Sequence, residues 1–81
     1  MAADRQTFLV IACETTMPTL WRAVGALRAQ LPVARVHWHP DTRYADGLHF
    51  LIEIPVLLLD NPLTAEARAR SILSEQGVFV A

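Results

Sequence analysis

The fold of this chain is decided by the stretch ARVHWHPDTRYADGLHFLIEI, which runs from Ala34 to Ile54. In its first part Val36 and Trp38 alternate with polar residues, and in its last part apolar residues recur at every second position from Leu48. Because strand side chains point alternately to opposite faces, both parts predict strands with one apolar face. The polar segment between them predicts a turn, so we interpret the stretch as a β-hairpin.

A pairing register centred on Tyr44 places the alternating apolar residues of both strands on one face of this hairpin. On the other face it places Arg35 opposite Glu53 and His39 opposite His49. Opposite charges in paired positions favour such a register. A slip by one residue would split the apolar residues between the two faces.

The flanking segments predict two helices and two further strands. The apolar run Thr7–Cys13 predicts a central strand buried on both faces. Thr16 is a candidate helix cap, and the first helix ends at Pro32. Its apolar stripe consists of Leu20, Ala23, Val24, Leu27 and Leu31.

The second half of the chain predicts a helix and a short final strand. Thr64 is the candidate N-cap of that helix and Gly77 its candidate C-cap. Residues 56–59 either extend the hairpin or form an apolar crossover, and both alternatives stay open. The order of elements predicts a single α+β domain over residues 1–81, a ferredoxin-like βαββαβ sandwich with both helices on one face of a four-stranded antiparallel sheet.

Composition narrows the classes of function. The net charge is −1 and lysine is absent, which argues against an electrostatic nucleic-acid binder. The single Cys13 excludes an internal disulfide framework, and no cofactor motif is present. The chain has no apolar run of membrane-spanning length and no signal-peptide pattern, so we expect a cytoplasmic protein without a membrane partner.

Several segments resemble the ACT domain, a small ligand-sensing regulatory module. The resemblance lies in Val10-Ile11-Ala12-Cys13-Glu14, in Met17-Pro18-Thr19-Leu20 with Val24 and Leu27, in Pro32-Val33-Ala34-Arg35-Val36, and in Ile72-Leu73 before Gly77-Val78-Phe79-Val80. The glycine common in the family's first strand-to-helix loop is absent here. The resemblance implies a regulatory module that senses a small ligand such as an amino acid and acts through oligomerisation or a larger enzyme, with a layout similar to the small subunit of acetolactate synthase.

One sheet face remains uncovered in this fold, and it predicts a homodimer or higher oligomer. The expected interface residues are Leu9, Ile11, His37, His39, His49 and Leu51, with Phe8 and Val10 as the alternative to Leu9 and Ile11. The three histidines share this face. Alternatively they ligate a metal such as zinc, or one of them is the base of a small dimeric enzyme.

The start of the first helix is a second candidate site. Glu14, Thr15, Thr16 and Met17 lie where backbone amides and hydroxyls can hold a small anionic ligand. Cys13 with Met17 offers soft ligands for copper(I), which is the metal-carrier alternative. No complete catalytic constellation is present, so the favoured interpretation is a non-catalytic regulatory or interaction module.

Overall fold

The computed structural model describes residues 8–31, 36–55 and 62–81. The elements are β1 (Phe8–Glu14), α1 (Met17–Gln30), β2 (His37–Pro40), β3 (His49–Pro55), α2 (Pro62–Glu75) and β4 (Phe79–Val80). This is the predicted βαββαβ order. The open question over residues 56–59, and the predicted roles of Pro32, Ala34 and Arg35, lie outside the described residues.

The four strands form one antiparallel sheet in the order β2-β3-β1-β4. The apolar strand β1 occupies a central position, and β2 and β4 form the two edges. Together with the two helices this confirms the predicted α+β ferredoxin-like layout.

The predicted hairpin register is wrong by two residues. His37 pairs with Glu53 and His39 pairs with Leu51, so His39 does not lie opposite His49. The ladder continues into the loop, where the Asp41 amide donates to the His49 carbonyl at 2.9 Å. A shift of two leaves every side chain on its predicted face. The apolar pattern therefore cannot distinguish the two registers, and loop contacts decide between them.

Both helices pack on one face of the sheet and form a single apolar core with it. The predicted stripe of α1 is buried there, and Leu20, Ala23 and Leu27 have no exposed surface. The buried apolar residues are Ile11, Cys13, Leu20, Ala23, Val24, Leu27, Leu31, Val36, Phe50, Ile52, Ile54, Ala69, Ile72, Leu73 and Val78. We call this side of the sheet the covered face.

The other side of the sheet, which we call the open face, has no helix from the described residues against it. Val10 is 48% exposed there, whereas Ile11 has no exposed surface and Leu9 packs against the core. The assignment of Leu9 and Ile11 to the uncovered side is therefore wrong. The alternative pair, Phe8 and Val10, occupies the alternate positions of β1 whose side chains point to the open face.

Two of the three predicted helix caps, Thr16 and Gly77, occupy the predicted positions at the helix ends. Thr16 occupies the N-cap of α1 as predicted, but its hydroxyl lies 3.2 Å from the Thr19 hydroxyl and bonds no backbone amide. Thr64 is not the N-cap of α2, because that helix already begins at Pro62. The C-terminal prediction is correct. Gly77 has a φ of +85°, and the Val78 amide donates to Leu73 in the six-to-one bond of a Schellman motif.

Candidate functional site

The open face carries a row of three side chains at the end next to the hairpin loop. β1 supplies Glu14, which pairs with His49 of β3 on one side and with Phe79 of β4 on the other. Cross-strand neighbours of this kind have Cβ atoms about 4.5–5.5 Å apart. Three neighbouring strands thus bring a carboxylate, an imidazole and a phenyl ring together.

His49 is held by its neighbours in the loop. Its Nδ1 lies 2.9 Å from Asp46 Oδ1, and its ring stacks on Tyr44 with centroids 3.8 Å apart. Its Nε2 lies 3.9 Å from Glu14 Oε1, beyond hydrogen-bonding distance. The hydrogen bond from His49, followed by that from the Leu48 amide, lowers the pKa of Asp46 below its ordinary value. The imidazole is therefore oriented by a carboxylate at one nitrogen and open at the other.

A second carboxylate fixes the start of the same loop. Asp41 is only 4% exposed, and Arg43 binds it through Nε at 2.9 Å, Nη2 at 2.6 Å and its backbone amide at 3.1 Å. The Arg43 side-chain hydrogen bonds lower the pKa of Asp41 to about 2. Bidentate pairing of this kind gives geometric precision as well as energy. The pairing of Asp41 with Arg43 holds the loop over the end of the open face. The Arg43 guanidinium also lies 5.8 Å from the Tyr44 ring centre.

These groups enclose a cleft of about 200 Å³. It is lined by Ala12, Cys13, Glu14, Asp41, Arg43, Tyr44, His49, Phe79 and Ala81. Since β1 lies between β3 and β4, its residues form the floor, and the loop and Phe79 form the sides. The cleft is large enough for a small organic molecule and lies within one protomer.

The predicted ligand site at the start of α1 adjoins this cleft. Glu14, Thr15, Thr16, Thr19, Leu48, Gly77 and Phe79 line a shallower groove of about 400 Å³. Met17, the fourth predicted residue, does not line it and is 41% exposed. The Glu14 carboxylate opposes an anion here, and Pro18 lacks an amide N–H. The groove is therefore poorly suited to an anion, and ligand binding by these residues stays a prediction.

The three histidines are not gathered into one cluster. On the edge strand β2, His39 places its Nε2 3.6 Å from Glu53 of β3, whereas His49 bonds Asp46 in the loop. Within the described residues no group of three or more His, Cys, Asp or Glu side chains is placed to hold a metal ion. The structure therefore does not support the alternative zinc site at His37, His39 and His49.

Cys13 is a buried thiol on the covered face. Its Sγ lies 3.6 Å from the Phe50 carbonyl oxygen, and burial raises the pKa of the thiol to about 11. The thiolate is the metal ligand and the nucleophile, and at neutral pH this thiol is protonated. The environment of Cys13 therefore counts against the copper and nucleophile alternatives.

Sequence reasoning missed most of the polar groups of the cleft. It assigned no binding role to Asp41, Arg43, Asp46 or Phe79, and it used Tyr44 as the centre of the hairpin register. The spacing of Asp46 three residues before His49, across Gly47, is the signal that could have indicated the hydrogen bond between them. The position of Phe79 beside Glu14 needed the sheet register, which the sequence pattern does not contain.

Comparisons with protein-family models, with curated proteins and with solved structures found no match to this chain. The fold therefore rests on the structure itself, and the ACT resemblance is not supported by a family match. Among the described residues no helix is long and apolar enough to cross a membrane.

Proposed function

We propose that this protein is a small regulatory or interaction module, ACT-like in layout, that self-associates through its open face. The observation that carries the proposal is the uneven coverage of the sheet. Both helices lie on one face, and on the other Val10 remains 48% exposed, diagonally across the sheet from the half-buried Leu51. An exposed apolar patch on a chain with 53% hydrophobic residues favours a partner.

The partner proposed is a second copy of the chain. A two-fold contact brings the same patch of both copies together, so the patch must complement itself. The open face has this property because it carries His37 and His39 beside Glu53, and apolar side chains further along the sheet. Imidazole and carboxylate groups from the two copies then face one another around an apolar centre.

Sedimentation equilibrium at micromolar concentration tests the contact. Wild-type protein is expected to be a dimer or higher oligomer, and Val10→Lys is expected to be monomeric, since two like charges would meet at the contact. Within each copy the new ammonium lies opposite Glu53, so the fold is retained. Met17→Lys on α1 is the control: Met17 is similarly exposed, and this variant should assemble as the wild type does. A monomeric wild type, or an assembled Val10→Lys, would overturn the proposal.

A second function, that of a small enzyme, is favoured by one observation. Asp46 orients His49 so that Nε2 faces the cleft, which is the arrangement of a general base and its orienting carboxylate. Turnover of p-nitrophenyl acetate measures imidazole reactivity. An enzyme should lose most of it in His49→Gln and keep it in His37→Gln, whereas equal losses would point to ordinary surface histidines.

A further inference from the structure

The cleft presents two hydrogen-bond acceptors that lie within reach of a common donor. Asp46 is acceptor-only when ionised, so the hydrogen of His49 Nδ1 must lie between the two groups. In the neutral ring Nε2 is then left as an acceptor, and it lies 3.9 Å from the acceptor Glu14 Oε1. Two acceptors at that distance cannot bond each other. One donor lying about 2.7–2.9 Å from each of them can bond both.

The charge of the cleft selects among donors. Arg43 is neutralised by its bidentate bond to Asp41, and within the described residues no arginine forms an ion pair with Glu14. When the His49 ring is neutral, Glu14 and Asp46 leave this end of the cleft negative. A positively charged donor is favoured over a hydroxyl, and an anion is opposed.

The walls of the cleft fit an organic cation. The Phe79 ring is 71% exposed beside Glu14, and its face can attract a cation. The volume of about 200 Å³ accommodates a small amine with an apolar body. The chain contains no lysine, so none of its own side chains can supply an ammonium group.

We propose that this cleft binds a primary ammonium group, with Glu14 as its counter-ion, His49 Nε2 as a second acceptor and Phe79 as an aromatic wall. The site is formed by a single copy of the chain at the loop end of the open face, and none of its groups comes from a second copy. Asp46 and Tyr44 act as positioning residues that hold the His49 ring.

Titration of the 81-residue chain with benzylamine, followed by amide NMR shifts and calorimetry at pH 7.5, tests the site. Saturable binding with shifts centred on Glu14, His49 and Phe79 is expected. Benzyl alcohol and benzoate have the same ring with a neutral or an anionic group, and they should bind at least about tenfold more weakly, since hydrogen bonds to charged groups exceed neutral ones. Equal binding of benzyl alcohol, or no saturable binding of benzylamine, would overturn the proposal.

Two variants and a matched control locate the contact. Glu14→Gln keeps the shape but removes the charge, and about a tenfold or greater loss of benzylamine affinity is expected. His49→Phe keeps a ring for stacking on Tyr44 but lacks Nε2, and it should also weaken binding. Glu53→Gln makes the same change of charge elsewhere on the open face and should bind normally. A loss in Glu53→Gln equal to that in Glu14→Gln would show general attraction to a negative surface and contradict a specific site.

A further probe distinguishes the source of the ammonium group. Nα-acetyl-lysinamide carries a lysine side chain without other charge. If it binds as tightly as benzylamine, at the same residues, the ligand is the lysine of a partner protein. If only benzylamine binds, the ligand is a free small amine. Both results include saturable binding of benzylamine, and both support ammonium recognition.

Discussion

The covered and open faces belong to the same four strands but are organised by different forces. On the covered face Ile11, Ile52 and Ile54 have no exposed surface and meet the helices in one apolar core. On the open face the best-defined contacts are polar, such as the bond between His49 and Asp46. Burial of apolar surface is non-directional, whereas a hydrogen bond requires particular partners at particular distances. This difference explains why the contacts of the covered face can be predicted from an alternating apolar pattern. The contacts of the open face depend instead on the position of the hairpin loop.

Neighbouring residues of β3 provide the strongest test of this contrast. Ile52 faces the core with no exposed surface, and the adjacent Leu51 is half-buried on the open face. Ile52→Ala should lower the free energy of unfolding by about 2–5 kcal/mol, the usual cost of a large-to-small core change. Leu51→Ala should cost less than half as much in dilute protein. Urea denaturation measures both, and equal costs at high dilution would contradict the difference between the faces.

Substitution in the turn that leads into β4 should change the free energy of unfolding by a smaller amount. Gly77 has a φ of +85°, so Gly77→Ala should cost about 1–2 kcal/mol for a left-handed residue with a side chain. The same substitution at Gly25 is the control. Gly25 lies in α1 where an added Cβ would meet no other atom within 4 Å, and Gly25→Ala should stabilise by about 0.5–1 kcal/mol. Thermal or urea unfolding of the two variants should therefore shift in opposite directions, and a neutral Gly77→Ala would be inconsistent with the capping turn.

Acid should affect the loop end of the open face and leave the apolar core intact. Arg43 lowers the pKa of Asp41 from 3.8 to about 2, so the folded state binds this proton less readily than the unfolded chain. The stabilisation of the folded state by ionised Asp41 is complete above about pH 4 and is lost as the pH falls towards 2. In Asp41→Asn the free energy of unfolding should fall less steeply between pH 5 and 2 than in the wild type, as measured by urea unfolding. Glu75→Gln, on the exposed side of α2, is the control and should retain the wild-type slope.

Sequence reasoning predicted the elements and their order because apolar periodicity reports burial directly. The stripe from Leu20 to Leu27 and the glycine at 77 follow from helix geometry and capping alone. The hairpin register did not follow, since a shift of two residues preserves the same faces. Consequently the neighbours of His39 and His49 were predicted wrongly. The cleft depends on that register and on the loop contacts of Asp41 and Asp46, which are tertiary features without a periodic signature.

The edges of the sheet bear on how this chain behaves at high concentration. β4 has only two residues, and β2 ends at Pro40, which lacks a backbone N–H for a further ladder. Short or proline-ended edge strands are poor templates for the sideways addition of another sheet. Growth into fibrils by strand-to-strand pairing is thus discouraged at both margins.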